Sequence, residues 1–516
     1  MKPIVNLLLF FTLSAGLALA QGRDQVIDDI IGEATENSHL EKLAHELLDV
    51  IGPRLVGTPQ MQQAHDWAVA TYEGWGISAR NEQWGEWRGW QRGITHVDMI
   101  SPRVVSLEGM MLAWSPGTSG RSITGGVVVI PDMKNAEAFQ EWLPRAEGKF
   151  VLVSVNRITG RPDTNWEEYA TEESLEKMET ERTANARQWQ NRIFRTGYNP
   201  VSLQAALEEA GAAGIITSNW SGGFGVNKVF GARTREIPTI DLALEDYGML
   251  YRMAENGVQP EIRVTAESRE LGTVPVFNTI AEIRGSETPE EYVILSAHFD
   301  SWDGATGATD NGTGTITMME VMRILEEVYP SPKRTILAGH WGSEEQGLNG
   351  SRAFVEDHPG IAGNLQALFN QDNGTGRVVS ISGQGFVNAY EYWDRWLAAV
   401  PESITRHIET DFPGMPDSGG TDHASFVAVG APAFSLRSLS WAYRHYTWHT
   451  NRDTYDKIVF DDVRSNAILI AILTYMASEE AEQTSREKRV MPVDTRTGNP
   501  ARWPVPRPPE RSGGQH

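Results

Sequence analysis

The stretch from residue 293 to residue 346 constrains the fold of this chain more than any other part of its sequence. Two short apolar runs, Val293–Ala297 and Thr335–Ala338, flank a glycine-rich loop and a segment with helical periodicity, Gly312–Val328. Short apolar runs between polar loops are typical of buried strands, and apolar residues at helical spacing predict a helix. Strand, loop, helix and strand in this order predict a parallel α/β sheet.

Polar residues of the same stretch stand where the predicted strands end. His298 follows the first strand and Asp310 lies in the glycine-rich loop, whereas Glu344 and Glu345 follow the second strand. In parallel sheets, ligands bind beyond the carboxyl ends of the strands. The sequence therefore predicts a functional site at this edge of the sheet.

The rest of the sequence predicts a second α/β unit inserted into the first. At 516 residues the chain is too long for one ordinary core, so two or three domains are expected. The predicted fold class is α/β, with a mixed, mostly parallel sheet flanked by helices. The predicted division is a leader at 1–20, a first part of the main domain at 21–119, an inserted domain at 120–270, the main domain at 271–489 and a Pro- and Arg-rich tail at 490–516.

Further elements follow from local patterns. Helices are predicted at Arg23–Asn37, Ser38–Ile51, Met61–Trp75 and Asp461–Glu482, and strands at Phe277–Arg284, Leu365–Asn370 and Ala433–Leu436. The cluster of Trp84, Trp87 and Trp90 is interpreted as core or domain interface rather than as a substrate wall. The tail after Arg489 is expected to be disordered or to lie along the surface.

The first twenty residues predict export. Lys2 precedes an apolar stretch that ends in Ala18-Leu19-Ala20, a small-x-small pattern typical of a signal peptide cut before Gln21. The apolar stretch is short for a membrane span, and no later segment is long and apolar enough to cross a bilayer. The mature protein is therefore expected to be secreted or periplasmic, with no membrane span.

Composition excludes several classes of partner and site. The formal net charge of −23 argues against nucleic acid and anionic membrane surfaces as partners. The chain has no cysteine, which excludes disulfides, thiolate metal sites and cysteine nucleophiles. Any metal must therefore be held by histidine and carboxylate ligands.

A set of two histidines and four carboxylates has the composition of such a metal centre. Taken singly, a histidine at a strand end or a pair of glutamates is usually structural or solvent-exposed. Together, two imidazoles and three carboxylates suffice for two zinc ions about 3.5–4 Å apart that share one carboxylate. The set comprises His298, Asp310, Glu344, Glu345, Asp372 and His449.

The ligand types leave the metal and one assignment open. Oxygen and imidazole ligands without thiolate also suit manganese or cobalt, so zinc is a preference. Of the adjacent Glu344 and Glu345, one is expected to bind metal and the other to act as general base on a metal-activated water.

Five motifs resemble those of the co-catalytic di-zinc exopeptidases, a superfamily that includes bacterial aminopeptidases and glutamate carboxypeptidase II. They read HFDSWDGATGATDNGTG, WGSEEQGLNGS, NQDNG, SGGTDHASF and WHTNRDTYD. Within the superfamily, the chain most resembles the plasma glutamate carboxypeptidase (carboxypeptidase Q) group, from IGPRLVGTP near the N-terminus to the last predicted helix. The resemblance implies a zinc-exopeptidase, phosphorylase/hydrolase-like fold and identifies 120–270 with a protease-associated domain that helps to close the cleft.

The resemblance also assigns the metal ligands. It implies that His298, Asp310 and Asp372 bind one zinc, and that Glu345, His449 and the shared Asp310 bind the other.

Three further features are implied in the same way. Glu344 matches the general base and acid, and Asp300 matches an acid that orients the imidazole of His298. The peptide bond between Asp310 and Asn311 is expected to be cis.

The chain departs from the pattern of many relatives at one position. A tyrosine whose hydroxyl helps to hold the oxyanion often precedes the last histidine ligand, and this chain has Trp448 there. An indole N–H only donates a hydrogen bond, so His445 or Tyr446 is a candidate substitute. Asp422 and His423 match a motif that lines the site without binding metal, and are candidates for either substrate contact or structural support.

The predicted function is a secreted, zinc-dependent exopeptidase that hydrolyses dipeptides or terminal residues of short peptides. One alternative is an aminopeptidase acting on longer N-termini, and another is a glutaminyl cyclase, which shares the fold but uses one zinc. A third, from a different class, is a non-catalytic, receptor-like binding protein of the same fold. Homodimerisation is implied by the resemblance alone.

Overall fold

The computed structural model describes residues 25–372, 374–493, 495 and 497–514. The predicted signal peptide at residues 1–20 lies outside the described residues. Numbered in chain order, the strands are β1 Ser78–Ser101, β2 Val105–Leu107, β3 Gly109–Met111, β4 Ile123–Val129, β5 Phe150–Leu152, β6 Gly214–Thr217, β7 Thr239–Leu242, β8 Glu261–Ile283, β9 Thr288–His298, β10 Arg334–Trp341, β11 Leu365–Asn370, β12 Val378–Ser382, β13 Glu409–Asp411, β14 Ala433–Ser438 and β15 Ser512–Gly513.

Helices and helical turns cover much of the remaining chain. The first spans residues 25–36. The others are Leu40–Ala44, His45–Ile51, Pro59–Gly74, Ala136–Trp142, Leu143–Ala146, Asp163–Tyr169, Glu172–Arg195, Pro200–Glu209, Leu244–Glu255, Ala308–Gly312, Thr313–Val328, Asn349–Asp357, Pro359–Gly363, Ala389–Leu397, Glu402–Thr405, His423–Ala428, Tyr443–Tyr446, Tyr455–Lys457 and Phe460–Glu479.

Parallel strands form the centre of the main domain. β9 pairs in parallel with β10 and β11, and β11 pairs in parallel with β14. Antiparallel pairs of β8 with β10 and of β12 with β14 extend this sheet on its two sides. The predicted fold class, an α/β fold with a mixed, mostly parallel sheet flanked by helices, is confirmed.

The elements predicted around the central stretch are all present. The run Val293–Ala297 lies within β9, and Thr335–Ala338 lies within β10, whose eight residues are all buried. Strands covered by helices on both faces read as continuous apolar runs. The helix Thr313–Val328 buries most of its length, and it packs together with Phe460–Glu479 in one apolar cluster.

A long antiparallel ribbon joins the main domain to the inserted unit. β1 and β8 pair from Ser78 to Ser101. The end of β8 near Ile283 also pairs with β10 of the main domain, whereas its beginning near Glu261 pairs with β4 of the inserted unit. The strands of the two units therefore form one hydrogen-bonded sheet.

The inserted unit is itself an α/β layer. β4, β5, β6 and β7 pair in parallel, and β3 adds an antiparallel edge on β7. Since β3 spans Gly109–Met111, this sheet also includes residues that precede position 120. The helix Glu172–Arg195 buries only Met178 and Ile193, which fits a charged insertion that contributes little to the core.

The tryptophan-rich stretch lies on β1, where the sequence pattern predicts no regular element. The spacing of three between the rings resembles a helical period, but β1 contains register shifts that break the alternation of a regular strand. Trp84 and Trp87 pack with Val56 and Val276, whereas Trp90 packs into the core of the inserted unit. The interpretation as core and domain interface is confirmed.

The C-terminal tail lies along the surface in its described part. Ser512 and Gly513 pair with β1, and the indole N–H of Trp503 donates to the Val427 carbonyl at 2.9 Å. Among the residues that the structure describes, no helix is both long and apolar enough to cross a membrane.

Candidate active site

Three neighbouring strands deliver polar residues to one edge of the sheet. β9 ends at His298, β10 ends shortly before Glu344 and Glu345, and β11 ends shortly before Asp372. Because these strands are parallel, their carboxyl ends lie side by side. The side chains that the sequence analysis singled out are therefore brought together by the topology of the sheet.

The six residues of the proposed metal centre form two overlapping groups with one additional glutamate. His298, Asp310 and Asp372 form the first group, and Asp310, Glu345 and His449 form the second. In each group the potential ligand atoms lie within 4.8 Å of one another. Asp310 belongs to both groups, and Glu344 belongs to neither, which is the division that the resemblance implied.

The distances between the ligand atoms suit tetrahedral zinc. His298 Nε2 lies 3.4 Å from Asp310 Oδ1 and 3.3 Å from Asp372 Oδ1. His449 Nε2 lies 3.3 Å from Asp310 Oδ2 and 2.8 Å from Glu345 Oε2. Ligand atoms about 2.1 Å from a tetrahedral zinc lie roughly 3.4 Å apart. Three of the four distances match this spacing.

The site also carries an excess of buried negative charge. Asp310 Oδ2 and Glu345 Oε1 have no hydrogen-bond partner among the described residues. Burial and the nearby Asp310 carboxylate raise the pKa of Glu345 well above its usual value, although the nearby His298 lowers it. Buried carboxylates without partners are costly unless a cation neutralises them, so these residues fit a metal centre.

Glu344 lies at the rim of this charge cluster. Burial raises its pKa well above the usual value, and Asp372, Asp422 and Glu345 add to the effect, whereas His298 opposes it. A carboxylate with a raised pKa, close to the proposed metal ligands and outside both groups, is suited to accept and return a proton.

Asp300 contacts the backbone of Glu344 and Glu345 as well as the imidazole of His298. Its carboxylate accepts the backbone N–H of Glu344 at 3.0 Å and of Glu345 at 3.2 Å. His298 Nδ1 lies 3.6 Å from this carboxylate, but only 3.0 Å from the carbonyl oxygen of Asp300. The imidazole is thus oriented mainly by the Asp300 backbone.

The loop that carries Asp310 is held by Asp453, which the sequence analysis did not single out. The Asp453 carboxylate accepts the backbone N–H of Thr309 at 2.8 Å and of Asp310 at 3.0 Å. Burial raises the pKa of Asp453 to about 7. The Asn311 amide donates to the Gln371 carbonyl at 2.9 Å, and the peptide bond between Asp310 and Asn311 is cis, as expected.

Arg54 of the IGPRLVGTP motif also holds this loop in place. Its fully buried guanidinium donates to the carbonyls of Phe299 at 2.8 Å, Thr306 at 2.8 Å and Gly307 at 3.0 Å, and to Gly52 at 3.1 Å. Burial lowers the pKa of Arg54 to about 10, although the nearby carboxylates of Asp453, Asp300 and Asp310 act to raise it. This network links the first part of the main domain to the loop that carries Asp310.

Replacing Arg54 by methionine is expected to lower the free energy of unfolding by about 3 kcal/mol or more, because three buried carbonyls and one partly buried carbonyl lose their donor. Denaturant titration of the two proteins measures the difference. The matched control is Arg80→Met, which removes an exposed cation paired with Glu82 at 3.0 Å and should change the unfolding free energy by less than about 0.5 kcal/mol. Equal effects of the two substitutions would contradict the bracing role.

Aromatic rings hold the last histidine of the set. The His449 ring packs edge-on against Phe230 of the inserted unit, at 5.4 Å between centroids, and Trp302 packs against it in a tilted arrangement at 6.1 Å. The Trp448 ring lies 4.0 Å from it. His449 has φ +58°, a conformation that non-glycine residues rarely adopt and that surrounding contacts must stabilise.

Asp422 and His423 occupy different surroundings. Asp422 is fully buried near Glu344, and neither of its oxygens has a hydrogen-bond partner among the described residues. Burial raises the pKa of Asp422 to about 7. His423 lies with Nε2 3.0 Å from Asp417 Oδ2, an arrangement suited to structural support.

Tyr443, which the sequence analysis did not consider, faces the carboxylates of the proposed metal centre. Burial raises the pKa of Tyr443 well above its usual value, and the negative charges of Asp310, Asp372 and Glu345 raise it further. The Tyr443 hydroxyl therefore remains a hydrogen-bond donor. No local signal distinguishes it, because it stands six residues before His449 rather than one.

His445 and Tyr446, the two candidates to replace the tyrosine missing at position 448, turn towards the inserted unit. A Cβ atom built on Gly222 would lie 3.5 Å from His445 Nδ1, and one built on Gly223 would lie 2.8 Å from the Tyr446 ring. The helical turn Tyr443–Tyr446 therefore presents its first residue, and not its last two, to the carboxylates.

Comparison with known proteins supports the motif-based resemblance. Residues 278–474, which include all six residues of the proposed metal centre, match the model of Peptidase family M28. Carboxypeptidase Q of Bos taurus is 27% identical over 464 residues, which cover 89% of this chain and 88% of that protein.

Solved structures show the same fold. A structure described as a Peptidase M28 precursor from Shewanella amazonensis has a TM-score of 0.64 and 22% identity, and the match covers 92% of this chain and 99% of that chain. BSAP, a zinc aminopeptidase from Bacillus subtilis, has a TM-score of 0.54 and 17% identity, over 87% of this chain and 97% of that chain. The predicted resemblance is thus confirmed: the chain is similar to peptidase family M28 through its main domain and to carboxypeptidase Q over most of its length.

Proposed function

We propose that this protein is a zinc-dependent exopeptidase with two zinc ions per chain, which hydrolyses dipeptides or terminal residues of short peptides. The observation that carries the proposal is the pair of ligand groups sharing Asp310, with Glu344 beside them in neither group. His298 and Asp372 would complete one zinc site, and Glu345 and His449 the other. Manganese or cobalt would fit the same oxygen and imidazole ligands.

In the proposed reaction, Glu344 transfers the proton between the attacking water and the leaving amine. Zinc, when bound, lowers the pKa of a water molecule and polarises a carbonyl group. Glu344 accepts a proton from the attacking water, whose oxygen bonds to the scissile carbonyl carbon. As the peptide C–N bond breaks, Glu344 returns the proton to the leaving amine. The Asp300 carboxylate keeps Glu344 in place by accepting a hydrogen bond from the backbone N–H of Glu344.

Tyr443 is proposed to donate a hydrogen bond to the carbonyl oxygen as negative charge develops there. Its hydroxyl stays protonated beside Asp310, and Trp448 occupies the position where relatives of the predicted superfamily often have tyrosine. A donor aimed at the developing oxyanion stabilises the transition state more than the substrate.

Tyr443→Phe is therefore expected to lower kcat about a hundredfold with little change in KM, since one oxyanion donor contributes about that much. The zinc content should stay at the wild-type value. Steady-state kinetics on a dipeptide, combined with metal analysis, measures both quantities. Tyr446→Phe tests the rival position: if it lowers kcat more than Tyr443→Phe does, the donor is Tyr446.

The position of the inserted unit beside the proposed active site supports the proposal that substrates are short. Its Phe230 contacts the His449 ring, and the backbone N–H of Val229 donates to the His449 carbonyl at 2.8 Å. A cavity of about 510 Å³ beside Tyr443 is lined partly by Phe224 and Val226 of the same unit. We propose that this unit corresponds to a protease-associated domain and restricts the cleft to chain ends.

A mass-spectrometric cleavage panel on zinc-loaded protein tests the function, with free dipeptides, N-blocked dipeptides and longer peptides. Hydrolysis of free dipeptides is expected. Progressive trimming of long peptides from the N-terminus would instead favour the aminopeptidase alternative. No hydrolysis of any peptide, together with metal-free protein after growth with zinc, would favour a receptor-like binding protein.

Location and assembly belong to the same proposal. The leader pattern at residues 1–20 supports a secreted or periplasmic protein. Homodimerisation is proposed from the resemblance alone, and sedimentation at micromolar concentration would test it.

A further inference from the structure

A loop of the inserted unit is hydrogen-bonded to the segment that carries His449, a ligand of the proposed metal centre. We call residues 219–230 the docking loop and residues 449–453 the ligand segment. The backbone N–H of Val229 donates to the His449 carbonyl at 2.8 Å, and the Phe230 ring lies 5.4 Å from the His449 ring. The inserted unit therefore contacts this residue through its backbone as well as through its side chain.

Two asparagines form the centre of this contact. Asn451 Oδ1 accepts the backbone N–H of Asn227 at 2.9 Å, and the backbone N–H of Asn451 donates to the Asn227 carbonyl at 2.9 Å. The Asn451 side-chain amide donates to the Gly225 carbonyl at 3.0 Å. Between these bonds and His449, Lys228 forms an antiparallel bridge to Thr450. Both the oxygen and the nitrogen of the Asn451 side chain are therefore bonded to the docking loop.

The docking loop is itself held from within the inserted unit by the buried carboxylate of Asp241. This carboxylate accepts the Thr217 hydroxyl at 2.7 Å and the backbone N–H of Asn219 at 3.0 Å. The Asn227 side-chain amide also donates to it, and to the Leu242 carbonyl at 2.6 Å. A buried polar network in which each member has its partners is rigid. Asn227 therefore connects β7 of the inserted unit firmly to the ligand segment.

The ligand segment has a role in the proposed metal centre at both of its ends. It begins with His449 and ends with Asp453, whose carboxylate accepts the backbone N–H of Thr309 at 2.8 Å and of Asp310 at 3.0 Å. Asn451 stands midway between them. His449 has φ +58°, a conformation that a non-glycine residue keeps only where surrounding contacts stabilise it. The hydrogen bonds from the docking loop supply such contacts.

We propose that Asn227 and Asn451 are positioning residues for the zinc site of Glu345 and His449, so that packing of the inserted unit and binding of this zinc strengthen each other. This inference rests on the two-zinc centre of the proposed function and adds that one of its sites is coupled to the inserted unit. Contacts that favour the bound geometry of His449 raise the affinity for zinc. By thermodynamic linkage, zinc stabilises the same contacts by an equal factor.

Each proposed zinc site can be measured in a background that lacks a ligand of the other site. In Asp372→Ala protein, the remaining zinc is expected at Glu345 and His449, and adding Asn451→Ala should weaken its binding about tenfold, as for other residues that orient metal ligands. In His449→Ala protein, the remaining zinc is expected at the site of His298, which ends a strand of the main domain. Asn451→Ala should change that affinity less than about twofold. Competition with a chromophoric chelator measures both affinities.

The matched control is Asn185→Ala, which removes another asparagine of the inserted unit. Its side-chain amide donates to the Asn156 carbonyl of the same unit at 2.6 Å, so this substitution should leave both zinc affinities unchanged. The proposal is overturned if Asn451→Ala has no more effect than Asn185→Ala in the Asp372→Ala background. It is also overturned if Asn451→Ala weakens the two zinc sites equally, since that result indicates a general loss of structure.

Hydrogen exchange measures the same coupling in the wild-type chain, without any substitution. Zinc loading should slow the exchange of the docking-loop amides, including the N–H of Val229, about tenfold, because the coupling is reciprocal. The amides of β5 in the inserted unit should exchange at the same rate with and without zinc. Equal exchange of the docking loop in zinc-loaded and metal-free protein overturns the proposal.

The zinc measurements also separate this proposal from the proposed function. A wild-type chain that binds one zinc would overturn the two-zinc centre together with the coupling. Two bound zinc ions, with affinities that Asn451→Ala leaves unchanged, would keep the two-zinc centre and overturn the coupling alone.

Discussion

Replacing Glu344 by glutamine is expected to lower kcat by about 10²–10⁴-fold, the contribution of a general acid–base group, while both metals remain bound. Glutamine has nearly the same shape but cannot accept and return the proton. The metals should stay because Glu344 belongs to neither ligand group. Kinetics on a free dipeptide and elemental analysis of the same sample measure the two effects.

The adjacent Glu345 is the matched comparison for this substitution. Glu345 Oε2 lies 2.8 Å from His449 Nε2, so Glu345→Gln should lose metal from one site as well as activity. If Glu344→Gln loses a metal and Glu345→Gln keeps both, the roles of the two residues are exchanged.

Replacing Asp310 by alanine is expected to have the second large effect, since this carboxylate alone belongs to both ligand groups. The zinc content should fall from about two per chain towards zero, and activity should be lost. Asp372→Ala removes a ligand from one group only and should leave about one zinc. Elemental analysis after dialysis against a weak chelator measures these numbers.

Circular dichroism and thermal unfolding of both variants test whether the fold persists. The Asp310 loop is also held by Asp453 through backbone N–H groups, so the Asp310→Ala chain should still fold. A wild-type content near one zinc per chain would contradict the two-metal proposal and favour the one-zinc cyclase alternative. Equal zinc loss in the two variants would contradict the shared position of Asp310.

The residues that support the proposed metal centre come from distant parts of the chain. Arg54 precedes the loop that it braces by about 250 residues, as its hydrogen bond to Gly307 shows. Asp453 reaches the same loop from the segment after His449. Interactions of this kind orient ligand side chains in metal sites, and here they hold the glycine-rich loop that carries Asp310, the proposed shared ligand.

The sequence by itself determined the central sheet and the six residues of the proposed centre. The strands β9, β10 and β11 are short buried runs, and their pattern is local, so each can be recognised without knowledge of its neighbours. Parallel strands bring their carboxyl ends to one edge. His298, Glu344, Glu345 and Asp372 follow directly from this rule because each stands just after a strand.

Only the tertiary structure decided the contacts between residues that are far apart in sequence. Tyr443 rather than Tyr446 faces the carboxylates because of how one helical turn is oriented, which no periodicity reveals. Asn227 and Asn451 stand 224 residues apart, and the hydrogen bond between them forms only after the inserted unit has packed. Local patterns specify elements, whereas the packing of those elements determines which side chains share a site.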